Sequence, residues 1–305
     1  MARSRSASVD FFAGYVVNRQ LVVIASQLRE RPEREHSRIF VFRGGQWQNF
    51  DVDGTVNDVY GEAAPVVSAY ALGRQGQVFI ARSGSSGKIV VEQLPESGTG
   101  LNKLGHAQRL RKIGATLYAC GGSGQVYKRT GTTWAHFDDG PLDRSVLPPD
   151  APSLFSIDGA DEKNIYAVGQ RGAAWYHDGK AWARGQLPAQ DLNDVRSASP
   201  AENWICGDNG ALFKGRHGQW TEHSVDGIDD FSAVEPFKGK VYLAGMAGLY
   251  EFDGKAIVPV DTGLDPAPDA YRLHAADGVL WSFGPTRLAM FDGKTWSPVP
   301  HPDNP

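Results

Sequence analysis

Short runs of aromatic and β-branched residues alternate along this chain with glycine-containing turns, and no stretch keeps a helical spacing of apolar residues over about ten positions. Runs of this length between turn residues are typical of β-strands, whereas an amphipathic helix repeats its apolar residues every three or four positions. The pattern therefore predicts an all-β chain.

One apolar frame recurs five times: an aromatic residue, two further residues, a glycine, two residues and in most copies a second glycine. The first glycines are 48, 38, 38 and 39 residues apart, at Gly121, Gly169, Gly207, Gly245 and Gly284. Repeats of about 40 residues occur in propellers and in helical solenoids. The strand-like pattern favours the propeller.

A tight turn that leads to a tryptophan is the second marker of the repeat, as in HDGKAW before Trp182 and FDGKTW before Trp296. Asp-Gly and Gly-Gly pairs suit type I′ hairpin turns, whose central residues need a positive φ. Two degenerate units lie upstream, with strands that start at Leu21 and Gln77, so the number of units is seven.

We assign four antiparallel strands, A to D, to each unit. A ring of such sheets is a seven-bladed β-propeller, here a single domain over residues 1–305. Two modes of ring closure stay open: the N-terminal segment SASVD pairs with the last blade, or the first and last blades meet without a shared strand. The predicted blades cover approximately residues 10–52, 53–96, 105–138, 152–187, 191–225, 228–262 and 270–300.

The units SIDGADEKNIYAVGQRGAAWYHDGKAW and SASPAENWICGDNGALFKGRHGQW resemble the bacterial propeller repeats of the broad WD40/YVTN/BNR-like class. The resemblance is strongest over residues 152–300 and weaker over residues 11–150. It implies the propeller fold and says little about function, because propellers of this class serve as enzymes, scaffolds and inhibitors.

Two cysteines are too few for a disulfide scaffold. Cys120 and Cys206 occupy the same frame position in units two apart, so an intervening blade should hold their Cα atoms well beyond the roughly 7 Å that a disulfide tolerates. We predict two buried, reduced thiols.

The apolar run near the N-terminus is interrupted by Asn18, Arg19 and Gln20, and no small-residue cleavage site follows it. No stretch reaches the roughly 20 apolar residues of a membrane span. We therefore expect a cytoplasmic protein, a monomer, without membrane contact.

Catalytic motifs are missing from the sequence. The eight histidines show no HExxH or comparable metal spacing, and no GxSxG nucleophile elbow is present. The FDGKTW turn lacks the serine and one spacer residue of a sialidase Asp box. The sequence therefore predicts no enzyme, no metal site and no cofactor.

Charge is unevenly distributed although the chain as a whole has 31 Lys and Arg against 35 Asp and Glu. In a propeller the connections from strand D to the next strand A lie on one face together with the B–C turns; we call this the D–A face. The predicted D–A connections hold fifteen aspartates, opposed by Arg144 alone. These are Asp51, Asp53, Asp58, Asp138, Asp139, Asp143, Asp150, Asp191, Asp194, Asp226, Asp229, Asp230, Asp261, Asp265 and Asp269.

Aspartate is common in turns because its side chain bonds to nearby backbone N–H groups, and this reading stays open for each residue. A face of one sign would also attract a cationic partner and repel DNA or RNA. The leading hypothesis is a noncatalytic module that captures a basic protein, as an inhibitor or immunity protein for a toxin or as an assembly factor.

The predicted partner-binding residues fall into three groups. Those on the rim of the D–A face are Asp138, Asp139, Asp194, Asp229, Asp230 and Asp269; those in B–C turns are Arg171, Asp208 and Asn209; those near the pore are Arg272 and His274. The alternative function is a ligand-binding or hydrolytic propeller. In it, Asp208, Arg171, Arg272 and His274 converge on a small anionic or sugar-like molecule in the central pore.

Overall fold

Seven four-stranded antiparallel sheets make up the protein in a computed structural model, which describes residues 8–30, 35–146 and 148–304. Each sheet is one continuous segment of chain, with its strands in the order A, B, C, D. The A strands of neighbouring blades contact each other and therefore line the central channel. The structure confirms the predicted seven-bladed propeller.

The strands are numbered along the chain, four to a blade. Blade 1 has β1 Val9–Asn18, β2 Leu21–Leu28, β3 His36–Arg43 and β4 Gln46–Asp53; blade 2 has β5 Val56–Glu62, β6 Ser68–Gly73, β7 Gln77–Arg82 and β8 Ile89–Gln93. Blade 3 has β9 Ala107–Ile113, β10 Thr116–Gly121, β11 Val126–Thr130 and β12 Thr133–His136; blade 4 has β13 Leu154–Asp161, β14 Asn164–Gly169, β15 Ala174–His177 and β16 Trp182–Arg184.

Blade 5 has β17 Leu192–Ser199, β18 Glu202–Gly207, β19 Leu212–Arg216 and β20 Gln219–Glu222; blade 6 has β21 Phe231–Phe237, β22 Lys240–Gly245, β23 Gly248–Phe252 and β24 Ile257–Pro259. Blade 7 has β25 Arg272–Ala276, β26 Val279–Phe283, β27 Leu288–Phe291 and β28 Trp296–Pro298. Short 3-10 turns at Gly122–Gly124 and Gln170–Gly172 join strands B and C of blades 3 and 4.

Strand B is the most buried strand of a blade, and β6 and β14 are buried along their whole length. Both faces of each sheet pack against neighbouring blades, which is why these strands have continuous apolar runs instead of an alternating pattern. Tryptophans fill the space between blades. The Trp182 ring lies 5.9 Å from Phe137 of the preceding blade, and its indole N–H donates to the Phe137 carbonyl at 2.6 Å.

The frame glycines lie where strand B ends beside the start of strand A. A Cβ at Gly169 would overlap the carbonyl oxygen of Ser153, and one at Gly207 would overlap that of Asp191. Both neighbours are backbone atoms, which cannot rotate away as a side chain can. The frame requires glycine for this close approach of two strands.

The first and last blades meet without a shared strand. Val9 and Asp10 of the SASVD segment pair with Leu28 and Gln27 inside blade 1, while residues 6 and 7 lie outside the described residues. The Asn304 side chain closes the ring: its Oδ1 accepts from Val9 N at 3.2 Å and its Nδ2 donates to Val9 O at 2.8 Å. Closure therefore depends on side-chain contacts and on a backbone hydrogen bond from Phe11 N to the Pro285 carbonyl at 2.9 Å.

Cys120 and Cys206 are free and fully buried. Burial raises the pKa of the Cys120 thiol to about 12, so the thiol is protonated and unreactive near neutral pH. Among the described residues there is no helix of the length and apolarity needed to cross a membrane.

Candidate partner-binding face and central channel

Charged side chains from the A strands fill the channel and pair with one another. Arg109 of β9 lies 3.1 Å from Asp194 of β17, and Arg111 lies 2.9 Å from Asp58 of β5. All four residues are at most 5% exposed. Arginine–carboxylate pairs of this kind link blades that are distant in sequence.

Asp194 was expected on the rim of the D–A face, and this placement is wrong. It is 2% exposed, because β17 begins at Leu192 and carries the carboxylate into the channel. Its oxygens accept from Ser156 Oγ at 2.6 Å and from Val234 N at 3.3 Å. Burial would raise the pKa of Asp194, but the Arg109, Arg196 and Arg272 guanidiniums hold it below its ordinary value.

Asp138 is the second expected rim residue that the structure buries, at 6% exposure. Its carboxylate accepts from Val126 N at 3.1 Å and lies 2.8 Å from Nδ1 of His136, so it closes the end of blade 3. The next residue, Asp139, is exposed as expected. Asp58, counted among the loop acids, is buried in the channel as described above.

The four residues of the pore hypothesis do not share a ligand site. Arg171 donates to the Asp150 carbonyl, and Asp208 accepts from Asn193 Nδ2 at 2.8 Å. Arg272 donates to the Ser232 carbonyl at 2.7 Å. None of these three residues lines the cavity that contains His274, so the structure gives the expected convergence no support.

His274 lines a cavity of about 320 Å³ at the end of the channel opposite the D–A face, together with Asp158, Arg196 and Glu235. Its Nδ1 accepts from Val16 N at 3.2 Å. Burial and the nearby guanidiniums, that of Arg196 first among them, lower the pKa of His274 well below its usual value. The imidazole is therefore neutral and serves as a hydrogen-bond acceptor between blades 1 and 7.

Aspartates of the D–A connections hold the B–C turns. Both oxygens of Asp229 accept backbone N–H groups, from Met246 at 3.1 Å and from Ala247 at 2.9 Å. Asp230 accepts from the N–H of Asn209 at 2.7 Å. The expectation that aspartate serves the turns through its own hydrogen bonds holds for these carboxylates.

Blades 4 and 7 repeat this arrangement. Asp191 accepts from Arg171 N at 2.9 Å, and Asp269 accepts from Thr286 N at 2.9 Å and Arg287 N at 3.0 Å. Arg171 and Asn209 both have a φ of 55°, in the left-handed region, which turns their N–H groups toward these acids. Both side chains are exposed beside the carboxylates.

The D–A face is not acidic all round, because arginines of the B–C turns and of one D–A connection lie among its acidic residues. Arg29 pairs with Asp10 at 2.7 Å, Arg144 pairs with Glu96 at 2.7 Å, and Arg171 and Arg287 are exposed. The expected one-signed rim is therefore wrong for the face as a whole.

One sector is predominantly acidic, although Arg287 Nη1 donates to its Ala267 carbonyl at 3.4 Å and Arg272 lies over its Tyr271 ring at 4.6 Å. We define the aspartate sector as the B–C turns and following D–A connections of blades 5 and 6, residues 208–211, 223–230, 246–247 and 260–271. These segments contain no Lys, Arg or Glu and seven aspartates. The aspartates are Asp208, Asp226, Asp229, Asp230, Asp261, Asp265 and Asp269.

Sequence reasoning missed the charged set of the channel, including Arg109, Arg111, Arg196 and Glu235. These residues could have been found from the sequence, because they are charged residues at interior positions of predicted A strands, where a blade core should be apolar. Within residues 8–30, 35–146 and 148–304, no group of three or more His, Cys, Asp or Glu is placed to hold a metal ion.

Comparison with solved structures supports the fold. The WD40 β-propeller domain of Doa1 has a TM-score of 0.65 to this chain at 10% identity, over 97% of this chain and 95% of that chain. The extracellular domain of BT3049 from B. thetaiotaomicron has a TM-score of 0.65 at 13% identity, over 94% of this chain and 40% of that chain. Identities this low establish the fold alone.

No family model matches the chain. The immune protein Tsi7 of Pseudomonas aeruginosa is 32% identical to it over 244 residues, which cover 77% of this chain and 76% of Tsi7. This match extends through most blades and lies well above the identity of the structural neighbours. The chain belongs to the same protein family as the immune protein Tsi7.

Proposed function

We propose that this chain is a noncatalytic immunity protein that binds a toxin protein in the cytoplasm and neutralises it, as a monomer in a one-to-one complex. The observation that carries the proposal is the family relationship to an immune protein over three quarters of both chains. The propeller offers a broad loop face for such a partner, and its A strands hold that face in place through paired charges.

The partner we propose is basic. The aspartate sector would raise the local concentration of a cationic protein and speed its association, most strongly at low salt. The carboxylates are held by backbone N–H groups, as for Asp229 and Asp230, so their positions are set before the partner arrives. Such preorganisation lowers the entropic cost of binding.

The alternative function is catalysis or small-molecule binding in the pore. The residues that suggested it have other partners in the structure. Arg171, Asp208 and Arg272 are each bonded to a different local group, and His274 faces the opposite end of the channel. The charged groups between them are engaged with one another. This arrangement supports a structural role for the channel.

The test is co-expression in bacteria with the products of the genes that flank the gene for this chain, chosen for those that stop growth when expressed alone. Growth should be restored by this chain and not by an unrelated propeller of similar size, and the two purified proteins should elute as a one-to-one complex. Complex formation should weaken between 50 mM and 500 mM salt, values chosen to span weak and strong screening. A toxin that kills cells regardless of this chain, or that fails to bind it, would overturn the proposal.

A further inference from the structure

Large apolar side chains are exposed mainly on the D–A face. Nine such residues are exposed among the described residues, and five of them lie in D–A connections or B–C turns. Two stand out: Leu101 is 92% exposed and Met246 is 87% exposed. The others on this face are Val146, Val225 and Tyr271. Methionine is enriched in protein–protein interfaces, so an exposed methionine is a candidate anchor for a partner.

Met246 is at the tip of a rigid hairpin. Gly245 of β22 pairs with Gly248 of β23, so Met246 and Ala247 form a two-residue turn. Both N–H groups of the turn donate to the carboxylate of Asp229. The backbone is thus fixed while the thioether stays in solvent, and a partner that binds it need not order the loop.

The surroundings of Met246 belong to the aspartate sector. Asn209 N donates to Asp230, and Gly227 N donates to Asn209 Oδ1 at 3.0 Å, which joins the turn of blade 5 to the loop that carries Asp229. Val225, 42% exposed, lies in the same loop. Tyr271 is the last residue of the sector, and its carbonyl accepts from Ser232 Oγ of β21 at 2.9 Å, which ties this segment to blade 6.

We infer that Met246 is the apolar anchor for a basic segment of the toxin partner, with the aspartate sector binding the cationic side chains around it. This inference rests on the proposed function. An unbranched thioether adapts to an irregular apolar recess, and a well-packed central residue ringed by polar contacts is the usual layout of a binding hot spot.

Charge favours a basic protein segment at this surface over a second copy of the chain, a membrane or a nucleic acid. A second copy of the chain would bring one aspartate sector against another. A membrane leaflet rich in anionic lipid would repel the same carboxylates, as would DNA or RNA. A segment with lysine or arginine around an apolar residue is complementary in both charge and polarity.

Leu101 provides the matched control. It is as exposed as Met246 and lies on the same face, but its connection, between blades 2 and 3, carries Lys103, and Glu96 of that connection pairs with Arg144 of the next one. The measurement is binding of the toxin identified by co-expression to Met246→Lys, Met246→Ala and Leu101→Lys. Melting temperatures of all three should match the parent, since both side chains are in solvent.

We expect Met246→Lys to weaken toxin binding at least about thirtyfold and Met246→Ala about tenfold, with Leu101→Lys within about threefold of the parent. A second readout uses Met246→Cys and Leu101→Cys labelled with a benzophenone maleimide. Because Cys120 and Cys206 are fully buried, the label should attach to the introduced thiol. Light should cross-link the toxin to the label at position 246 and not to that at position 101.

The outcomes separate the inference from the proposed function. If the parent chain does not bind the toxin, the proposed function itself fails. If the parent binds, and substitutions at 246 leave affinity unchanged or cross-linking occurs only from position 101, the inference is overturned while the immunity function stands. Cross-linking of two copies of the chain through position 246 would also overturn it.

Discussion

Arg196 donates to Glu235 through both Nε, at 2.8 Å, and Nη2, at 2.6 Å, inside the channel. Burial nevertheless raises the pKa of Glu235 to about 7, with nearby Asp158 and Asp194 acting in the same direction. The attraction of one guanidinium thus fails to offset the loss of water and the repulsion of two carboxylates. This pair makes the channel sensitive to pH.

The folded-state pKa of Glu235 is higher than its ordinary value of 4.5, so the protonated form favours folding. The stabilisation of the folded state by protonated Glu235 is fully present below about pH 4.5 and is lost as the pH rises through about 7. The parent should therefore lose stability relative to Glu235→Gln between pH 5 and pH 8, by up to roughly 3 kcal/mol. Urea unfolding of both proteins across this range measures the difference; a constant difference would contradict the prediction.

Asp194 should matter for stability far more than an exposed aspartate. Asp194→Asn removes the charge that balances buried Arg109, and breaking such a pair costs about 3–5 kcal/mol. Asp139→Asn is the control, since Asp139 is exposed on the D–A face, and it should stay within about 0.5 kcal/mol of the parent. Denaturant midpoints of the two variants give the comparison. Equal midpoints would show that the channel pair does not stabilise the fold.

Gly169→Ala tests the close approach behind the repeated frame. Its methyl group would overlap the Ser153 carbonyl, so we expect a loss of more than about 2 kcal/mol. Gly185→Ala is the matched control, because the nearest atom to its Cβ is 3.5 Å away and its φ is not in the left-handed region. Thermal unfolding should separate the two variants clearly. Similar melting temperatures would mean that the strands can move apart at this site.

Reversing charge in the aspartate sector should slow association with a basic toxin. Asp226 and Asp265 are exposed, so Asp226→Lys with Asp265→Lys should spare the folded structure. We expect the association rate at low salt to fall about tenfold, with a smaller change in the dissociation rate. Glu222→Lys, on the exposed outer strand of blade 5, is the control for the single change Asp226→Lys, because both alter the net charge by the same amount. Stopped-flow mixing measures both rates, and equal effects of the two single changes would point to net charge alone.

Local patterns predicted the repeat well. The frame around Gly169 and Gly207, and the hairpin turns before Trp182 and Trp296, are short-range signals, and they correctly indicated seven units of four strands. The burial of Cys120 and Cys206 followed from the same register. These features depend on residues close in sequence, whose spacing can be read directly.

The prediction placed charged residues on the D–A face because it counted them as loop residues, and for some of them this was wrong. Asp194 and Asp58 stand near predicted turns, yet a start of strand A only a few residues earlier carries both into the channel. Arg29, Arg171 and Arg287 were left out of the charge of the D–A face because they are in B–C turns of separate blades. The position of a residue in the sequence does not show which other side chains lie on the same surface of the folded protein.

The sequence by itself determined the repeat, the strand-rich composition of each unit and the propeller they form, because strand and turn preferences act over a few residues. Only the tertiary structure decided that Arg109 meets Asp194, that Asp229 holds the turn of Met246 and that the first and last blades close through Asn304. These contacts join residues 17 to 295 positions apart. Their partners are selected by ring geometry and by the cost of leaving a buried charge or N–H group unpaired, which no local pattern records.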